Sequence, residues 1–315
     1  MNRELWDPIT RSNKVFQFHG NSLKNLFQRT KGLESIKLCL DQCVNAHVER
    51  ILVEEEALSM LHNQQESLES LSMIYPYFES VQSISQMLNP LTNLKVLCLS
   101  QVFVAPSQHL GLSRANVWSP GLGASLLHCI GTVLCNLQSL SIDRHGFIDA
   151  DIQGLLPILP QLRSLSLEIP SQVSLTDQFM NLVAGNCGNL QSLELSYNQQ
   201  ITSAGWLAVA EACPLLRNIV AYDTGLQAIH LEELVRCSPK LLRVCFSSPY
   251  DKSAIEKATT ASQGCTLFID SSPYKPTFNS QYLKNHERTK KMLSDLQANK
   301  SNGWNEWEEF LKQQD

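Results

Sequence analysis

The sequence predicts an α/β solenoid, in which a strand, a turn and a helix form one unit and successive units stack side by side. Three observations predict this fold. Leucine accounts for 48 of the 315 residues. The leucines recur in segments of the form LxxLxL, in which other apolar residues take some positions. Between these segments, apolar residues follow the 3.6-residue spacing of a helix. A pattern that recurs in this way indicates a repeat architecture.

Eight segments carry the predicted strands. Within each segment buried and outward positions alternate, as a strand with one buried face requires. The first leucines of consecutive segments are 35, 26, 43, 25, 28, 26 and 25 residues apart. Most of these spacings fall in the range of about 20 to 29 residues that leucine-rich repeats show. The segments begin at Leu33, Leu68, Leu94, Leu137, Leu162, Leu190, Leu216 and Leu241.

Two predicted helices are the clearest, at 176–184 and 204–212. Neither a strand nor such a helix can bury its apolar face alone, so stacked units must share one core. The predicted fold is a right-handed leucine-rich repeat solenoid of about eight to nine units, with a parallel sheet on the concave face and helices on the convex face. The helix residues predicted to face inward are Phe179, Leu182 and Val183, followed by Leu207, Val209 and Ala210.

Residues 187–216 resemble the cysteine-containing subtype of leucine-rich repeats, whose units read C-x-x-L-x-x-L-x-L-x-x-C-x-x-(I/L)-T-D-x-G-L-x-x-L-A. Asn198 occupies a position that takes Cys or Asn, and Ser203 stands where the subtype has Asp. The resemblance implies that Cys187 and Cys213 are buried core residues at helix ends rather than ligands or nucleophiles. The matching residues are Cys187, Leu190, Leu193, Leu195, Ile201, Thr202, Gly205, Leu207 and Ala210.

This subtype is similar to the repeat domain of F-box substrate receptors of ubiquitin ligases and of RNI-like adaptors. The resemblance implies recognition of a protein partner on the concave face. No F-box is recognisable in the 32 residues before Leu33. We therefore predict a non-catalytic adaptor, receptor or scaffold. The alternatives are a ligase substrate receptor with a different recruitment segment, and an effector or enzyme that its repeats target.

The chain is expected to have three parts. They are an N-terminal cap at 1–32, the solenoid at 33–270 with a loop insertion at about 101–131, and a C-terminal helical tail at 271–315. The insertion is rich in Pro and Gly and carries Trp118; it is either a binding loop or a loop packed on its own scaffold. The tail places Trp304, Trp307 and Phe310 on one helix face, which either caps the solenoid or docks on a partner.

The strand positions that alternate with the buried leucines are expected to form the concave surface. Many of them are serine, which reflects either a binding surface or the crowding of strands on the inner side of a curve. Acidic, basic and aromatic residues in the last units are typical of interfaces. We predict that a partner with basic and apolar groups binds there. The candidate residues on this face are Asp143, Arg144, Glu168, Glu194, Tyr197, Tyr222, Asp223 and Arg243.

Composition and motifs exclude several other functions. The net charge is -5 and the sequence pI is about 5.9, which argues against nucleic-acid binding through a basic surface. The sequence has no phosphate-binding loop and no zinc-protease or serine-hydrolase motif, so we expect no cofactor, no metal and no catalysis. Ten cysteines without a CxxC pair are typical of a reducing compartment, the cytoplasm or nucleus. We expect no membrane span.

Overall fold

The computed structural model describes residues 25, 27–39, 58–74, 77–78, 80–100, 102–104, 122–143, 148–168, 175–247, 251–261 and 264–270. These residues belong to the first of two units into which the chain divides, Met1–Ser271 and Ser272–Asp315. The predicted tail with Trp304, Trp307 and Phe310 lies outside the described residues. The same holds for Trp118 and Arg144, and for most of the predicted N-terminal cap.

A parallel sheet of nine strands runs through the described residues, and its strands follow one another in chain order; two further short strands, β3 and β5, form a separate sheet. Each of the eight predicted segments supplies one strand, and the ninth follows residue 265. The protein is therefore an α/β repeat solenoid, as predicted. The strands are β1 Ser35–Cys39, β2 Ser70–Ile74, β4 Val96–Ser100, β6 Ser139–Asp143, β7 Ser164–Glu168, β8 Ser192–Ser196, β9 Asn218–Ala221, β10 Arg243–Ser247 and β11 Thr266–Asp270.

The strands pair without a shift in register, because equivalent leucines of neighbouring units enter the same core. Leu165 pairs with Leu193, and Leu167 pairs with Leu195. All four side chains are buried, whereas Ser166, which lies between Leu165 and Leu167 on the same strand, is only half-buried. A slip by one residue would turn every leucine of a strand towards solvent, so the buried face sets the register.

Helices connect consecutive strands on the buried side of the sheet. The α-helices are α1 Val81–Leu88, α2 Leu122–Val133, α3 Asp149–Gln153, α4 Asp177–Asn186, α5 Ser203–Ala212, α6 Leu231–Cys237 and α7 Lys252–Ala261. Short 3-10 helices are formed by Met60–Gln64, Leu156–Ile158 and Ala228–His230. Thr176 and Thr202 begin α4 and α5, where each hydroxyl accepts a hydrogen bond from the N–H two residues later.

The inward face of the helices is wider than predicted. Phe179, Val183, Val209 and Ala210 are fully buried, as predicted. Leu182 and Leu207 pack against the core but are half-buried. Met180 and Trp206, which the prediction did not include, are also fully buried.

The predicted loop at about 101–131 is also wrong over its last ten residues, because 122–131 belong to α2. Leu126, Leu127 and Ile130 of this helix are buried. Their spacing is that of a helix, but the nearby glycines favoured the prediction of a loop. At the start of the insertion a short strand, β5 Phe103–Val104, pairs with β3 Tyr77–Phe78 in a separate two-stranded parallel sheet.

The cysteines at the ends of α4 and α5 are core residues. Cys187 and Cys213 are fully buried at the C-caps of the two helices, and the Cys213 thiol donates to the Cys187 carbonyl oxygen over 3.3 Å. Burial raises the pKa of Cys187 to about 12, and it raises that of Cys213 to about 11. Both thiols are therefore protonated at neutral pH, in agreement with the predicted packing role.

A carboxylate bridge links successive units on the helix side. Asp149 accepts from the N–H and hydroxyl of Thr176 at 3.0 and 2.5 Å. One unit later, Asp177 accepts from the N–H and hydroxyl of Thr202 at 2.8 and 2.7 Å. In the next unit Ser203 stands in place of the aspartate, and its hydroxyl oxygen accepts from Gln227 N at 3.1 Å. These contacts thus link the start of a helix in one of these units to the start of the helix in the next.

Candidate protein-interaction surface

The outward positions of β6 to β10 form one surface, which we call the outer sheet face. Most of its positions on the first three of these strands are serines, and their side chains are half-buried. Parallel strands lie about 4.8 Å apart, so these serines form a closely spaced group of small side chains, which we call the serine floor. The serines are Ser139, Ser141, Ser164, Ser166 and Ser192, and the register pairs 139 with 164, 164 with 192, and 141 with 166.

Glu194 lies in the middle of the outer sheet face, on β8. Its register neighbours are Ser166 on β7 and Val220 on β9. The Ser166 hydroxyl donates to Glu194 Oε2 over 3.2 Å, which orients the carboxylate on the floor. Ser166 was not among the predicted site residues, although its place beside Glu194 follows from the repeat spacing.

Cys245 organises the next part of the face, on β10. Its position alternates with buried residues and was expected to be exposed, yet the side chain is only 1% exposed. The Tyr222 side chain hydrogen-bonds with the thiol and so covers part of it. Burial raises the pKa of Cys245, and this hydrogen bond and the positive charge of Arg243 oppose the rise, while the charge of Glu194 adds to it. Three predicted site residues thus surround Cys245.

Tyr197 and Asp223 occupy equivalent turn positions in successive units. Both have left-handed backbones, with φ of 66° and 52°, a conformation that is uncommon for residues other than glycine. Tyr197 N donates to Tyr222 O over 2.8 Å, and Gln199 Nε2 donates to Asp223 Oδ1 over 3.3 Å. Ser196 beside them was expected to face outward but is 5% exposed, because these turns meet next to it. The two turns therefore close the carboxyl end of the face.

Asp143 and Glu168 are register partners at the carboxyl ends of β6 and β7, and Ser196 follows them on β8. The sheet therefore brings together, on neighbouring strands, the backbone positions of the two predicted acidic residues. Glu194 lies on β8, the strand next to that of Glu168, and two residues before the register partner of Glu168. The remaining predicted residues Arg144, Trp118, Trp304, Trp307 and Phe310 are outside the described part of the chain.

A shallow polar cavity of about 360 Å³ lies at the opposite, amino-terminal end of the strands. Lys95 Nζ and Glu69 Oε1 form an ion pair of 2.8 Å in its wall. Sequence reasoning missed this cavity because its residues precede the strands rather than alternate along them. It is lined by Glu66, Glu69, Asn93, Lys95, Asn136, Gln138 and Gln161.

Two further features bear on the possible chemistry. In the part of the chain that the structure describes, no three His, Cys, Asp or Glu side chains come together in a way that could hold a metal ion. None of the described helices has the length and apolar character needed to cross a membrane.

This chain is similar in fold to solved structures of other proteins. No family model matches the chain. The crystal structure of the Rad7 and Elc1 complex in yeast matches with a TM-score of 0.46 and 18% sequence identity, over 79% of this chain and 70% of that chain. The fold described above follows from the strand register and does not depend on this likeness.

Proposed function

We propose that this solenoid is a non-catalytic protein-interaction module that binds a protein partner on the outer sheet face. One observation supports this function above all: Glu194, Tyr222 and Arg243 lie around Cys245 beside the serine floor. Aromatic and arginine side chains provide anchors at interfaces, and charged groups provide orientation. A surface that combines them with small residues lets a partner approach the strands closely.

The module is proposed to belong to the cysteine-containing subtype of leucine-rich repeats. The buried C-cap residues Cys187 and Cys213 stand at the subtype's cysteine positions. Asn198 is fully buried, and its Oδ1 accepts from Leu175 N over 2.9 Å. The subtype favours an adaptor, receptor or scaffold in the cytoplasm or nucleus, and a ubiquitin-ligase substrate receptor is the more specific version of this proposal.

A steric block of the outer sheet face tests the proposed function. The full chain, tagged, is used to isolate and identify a stoichiometric partner from cells of its source. Ser141→Trp combined with Ser192→Trp places two indoles on the serine floor and should weaken the purified complex at least about tenfold, as loss of a central contact does. Gln178→Trp combined with Glu233→Trp, at exposed helix positions, should leave affinity unchanged.

A second comparison separates the outer sheet face from the tail. A chain that ends at Ser272 lacks Trp304, Trp307 and Phe310. We expect it to retain the partner. If the shortened chain loses the partner while the two Ser→Trp substitutions have no effect, the tail is the docking element and the proposed site is wrong.

A further inference from the structure

The residues directly before strands β6 to β10 form one edge of the sheet, which we call the amino-terminal rim. Neighbouring units are in contact here, because Gln191 N donates to Arg163 O over 2.7 Å and Arg217 N donates to Gln191 O over 2.8 Å. Side chains at this repeat position are long enough to reach the next unit, as the 2.8 Å ion pair between Lys95 and Glu69 shows in two earlier units. The rim consists of residues 135–138, 160–163, 188–191, 214–217 and 239–242.

The amino-terminal rim is positively charged, although the chain has a net charge of -5. The rim contains Arg163, Arg217 and Lys240 and has no Asp or Glu. Among the residues that the structure describes, the side chains of Arg163 and Lys240 have no hydrogen-bond or ion-pair partner. These two cations are therefore available to an anionic group.

Gln191 lies between the two arginines and has an unsatisfied polar atom. Its side chain is 7% exposed, and its buried Oε1 has no hydrogen-bond partner. Buried polar atoms without a partner are exceptions in folded proteins, and the group that this oxygen lacks is a donor. A peptide backbone carries an N–H at almost every residue, whereas the sugar–phosphate backbone of a nucleic acid carries none. The rim therefore favours an acidic peptide over a nucleic acid.

An apolar side chain lies at one end of the rim. Leu242, directly before β10, is 56% exposed, and Leu215 in the preceding unit is half-buried. Lys240 is two residues before Leu242, so one unit offers a cation and an apolar contact together. An acidic segment that also carries an apolar residue matches both.

The sheet determines how far apart the acids of such a segment should be. Arg163 and Lys240 precede β7 and β10, which are three strands apart, or about 14 Å at about 4.8 Å per strand. An extended chain advances about 3.4 Å per residue, so about four residues cover this distance. Acids at positions i and i+4 of an extended segment therefore match Arg163 and Lys240, with Arg217 between them.

We propose that the amino-terminal rim binds an extended acidic segment of a protein, which crosses the amino ends of β7 to β10. Carboxylates four residues apart bind Arg163 and Lys240, and an apolar residue packs on Leu242. The carboxamide of Gln191 turns outward and accepts from a backbone N–H of the segment. This site uses other residues than the outer sheet face, so the inference does not depend on the proposed function.

Synthetic peptides test the inference on the full chain. Three twelve-residue Gly/Ser peptides each carry one leucine, a photo-crosslinker and a fluorophore, and two residues four positions apart are Glu, Gln or Lys. We expect the Glu peptide to bind at least about fivefold more tightly than the Gln peptide at low salt, as two exposed ion pairs provide, and the difference should shrink at high salt. Its crosslinks should map to the amino-terminal rim.

A neutralised variant and a matched control locate the binding. Arg163→Gln combined with Lys240→Gln should weaken the Glu peptide about fivefold, to the affinity of the Gln peptide. Arg236→Gln combined with Lys257→Gln removes two exposed cations on the helix side and should change affinity less than about twofold. Equal losses in the two variants, no saturable binding of the Glu peptide, tighter binding of the Lys peptide, or crosslinks outside the rim would overturn the inference.

Gln191→Leu separates a binding role from a packing role. An apolar side chain of similar size removes the unsatisfied oxygen, so the melting temperature of the free chain should stay the same or rise. The Glu peptide should nevertheless bind this variant about threefold or more weakly, because one hydrogen bond is lost. Unchanged affinity would contradict the inference. Tighter binding of a twelve-nucleotide oligo(dT) than of the Glu peptide would also contradict it, since the rim would then recognise phosphates.

Discussion

The units around β7 to β9 and those around β1 to β4 share one sheet but are joined differently on the helix side. In the first region the same aspartate bridge recurs, from Asp149 to Thr176 and from Asp177 to Thr202. In the second region the described residues show other links between units: buried Gln64 accepts from Leu33 N and donates to Thr30 O, and Asn93 Nδ2 donates to Glu66 O.

This difference follows from the spacing of the units. The first leucines around β7 to β9 are 28 and 26 residues apart, so each helix starts at nearly the same place relative to its strand and one contact can repeat. Spacings of 35 and 43 residues elsewhere shift the helix starts and break that repetition. Leucine packing therefore builds the sheet, and regular unit length adds the contacts between helices.

The largest expected effect tests whether the sheet core is common to both regions. Leu193 in β8 and Leu97 in β4 are both fully buried. Leu193→Ala and Leu97→Ala should each lower the free energy of unfolding by about 2–5 kcal/mol, through lost burial and the cavity left behind. Urea unfolding followed by circular dichroism measures both. A loss confined to one variant would show that the two regions do not share one cooperative core.

A glycine on the helix side should show the close approach of regular units. A methyl group at Gly205 would overlap Asp177 Oδ1 and lie 2.9 Å from Met180 Cγ. Gly205→Ala should therefore cost about 1–3 kcal/mol of unfolding free energy. The matched control is Gly185→Ala in α4, where no atom lies within 4 Å of the added methyl, and it should stabilise by about 0.5–1 kcal/mol. Thermal melts of both variants decide whether α4 and α5 are this close.

Removal of the helix-side links compares the two regions directly. Asp177→Ala leaves two donors of Thr202 without their acceptor, and Gln64→Ala does the same to Leu33 N. Gln64→Ala should cost about 1–3 kcal/mol, because Leu33 N is buried, and Asp177→Ala about 0.5–1.5 kcal/mol, because Thr202 is exposed and water can replace its acceptor. A double-mutant cycle of Asp177→Ala with Thr202→Val should give a coupling of about 0.5–3 kcal/mol. Additive losses in that cycle would mean that the bridge contributes no stability.

The buried cysteines predict a loss of stability in alkali. Burial raises the pKa of Cys187 to about 12 and that of Cys213 to about 11, above the ordinary thiol value of about 8.5. Folding therefore favours the protonated thiols, and this stabilisation is complete below pH about 8.5 and is lost as the pH rises towards 11 and 12. The unfolding free energy of Cys213→Ala should decline less steeply than that of the unchanged protein between about pH 8 and about pH 11. A parallel decline in both proteins would contradict the assignment.

The smallest expected effect concerns the in-register acids on the outer sheet face. Glu168→Gln removes one of two like charges at paired positions and should raise the unfolding free energy by roughly 0.2–1 kcal/mol at low salt. The same substitution at Glu66, an exposed position before β2, should have no measurable effect. Chemical denaturation at low and high salt is the measurement, and a gain that persists at high salt would not be electrostatic.

Much of the fold could be predicted because the apolar pattern that places each strand lies within a single repeat unit. The positions of Leu165 and Leu193 follow from alternation and spacing alone, and so does their pairing. The insertion was harder to predict, since its glycines resemble those of a loop while Leu126 and Ile130 have helical spacing. The helix faces were predicted incompletely for a similar reason: the short apolar pattern around Trp206 does not show how wide the buried face is.

Only part of the candidate site could be predicted. The outward position of Glu194 follows from its place between Leu193 and Leu195, and its bond to Ser166 joins register neighbours. The reach of Tyr222 to Cys245 does not follow from any spacing, because Tyr222 lies in a turn after β9, where alternation ends. A residue expected to be exposed was therefore buried.

By itself the sequence determined the solenoid, its strands and their register, because these depend on a periodic apolar pattern that only one stacking can bury. The tertiary structure alone decided which side chains of different units meet. The Asp177 bridge to Thr202, the close packing at Gly205 and the cluster around Cys245 all join residues 20 or more positions apart. Such contacts depend on how the turns and side chains of neighbouring units pack against each other, and a local periodic pattern cannot predict that packing.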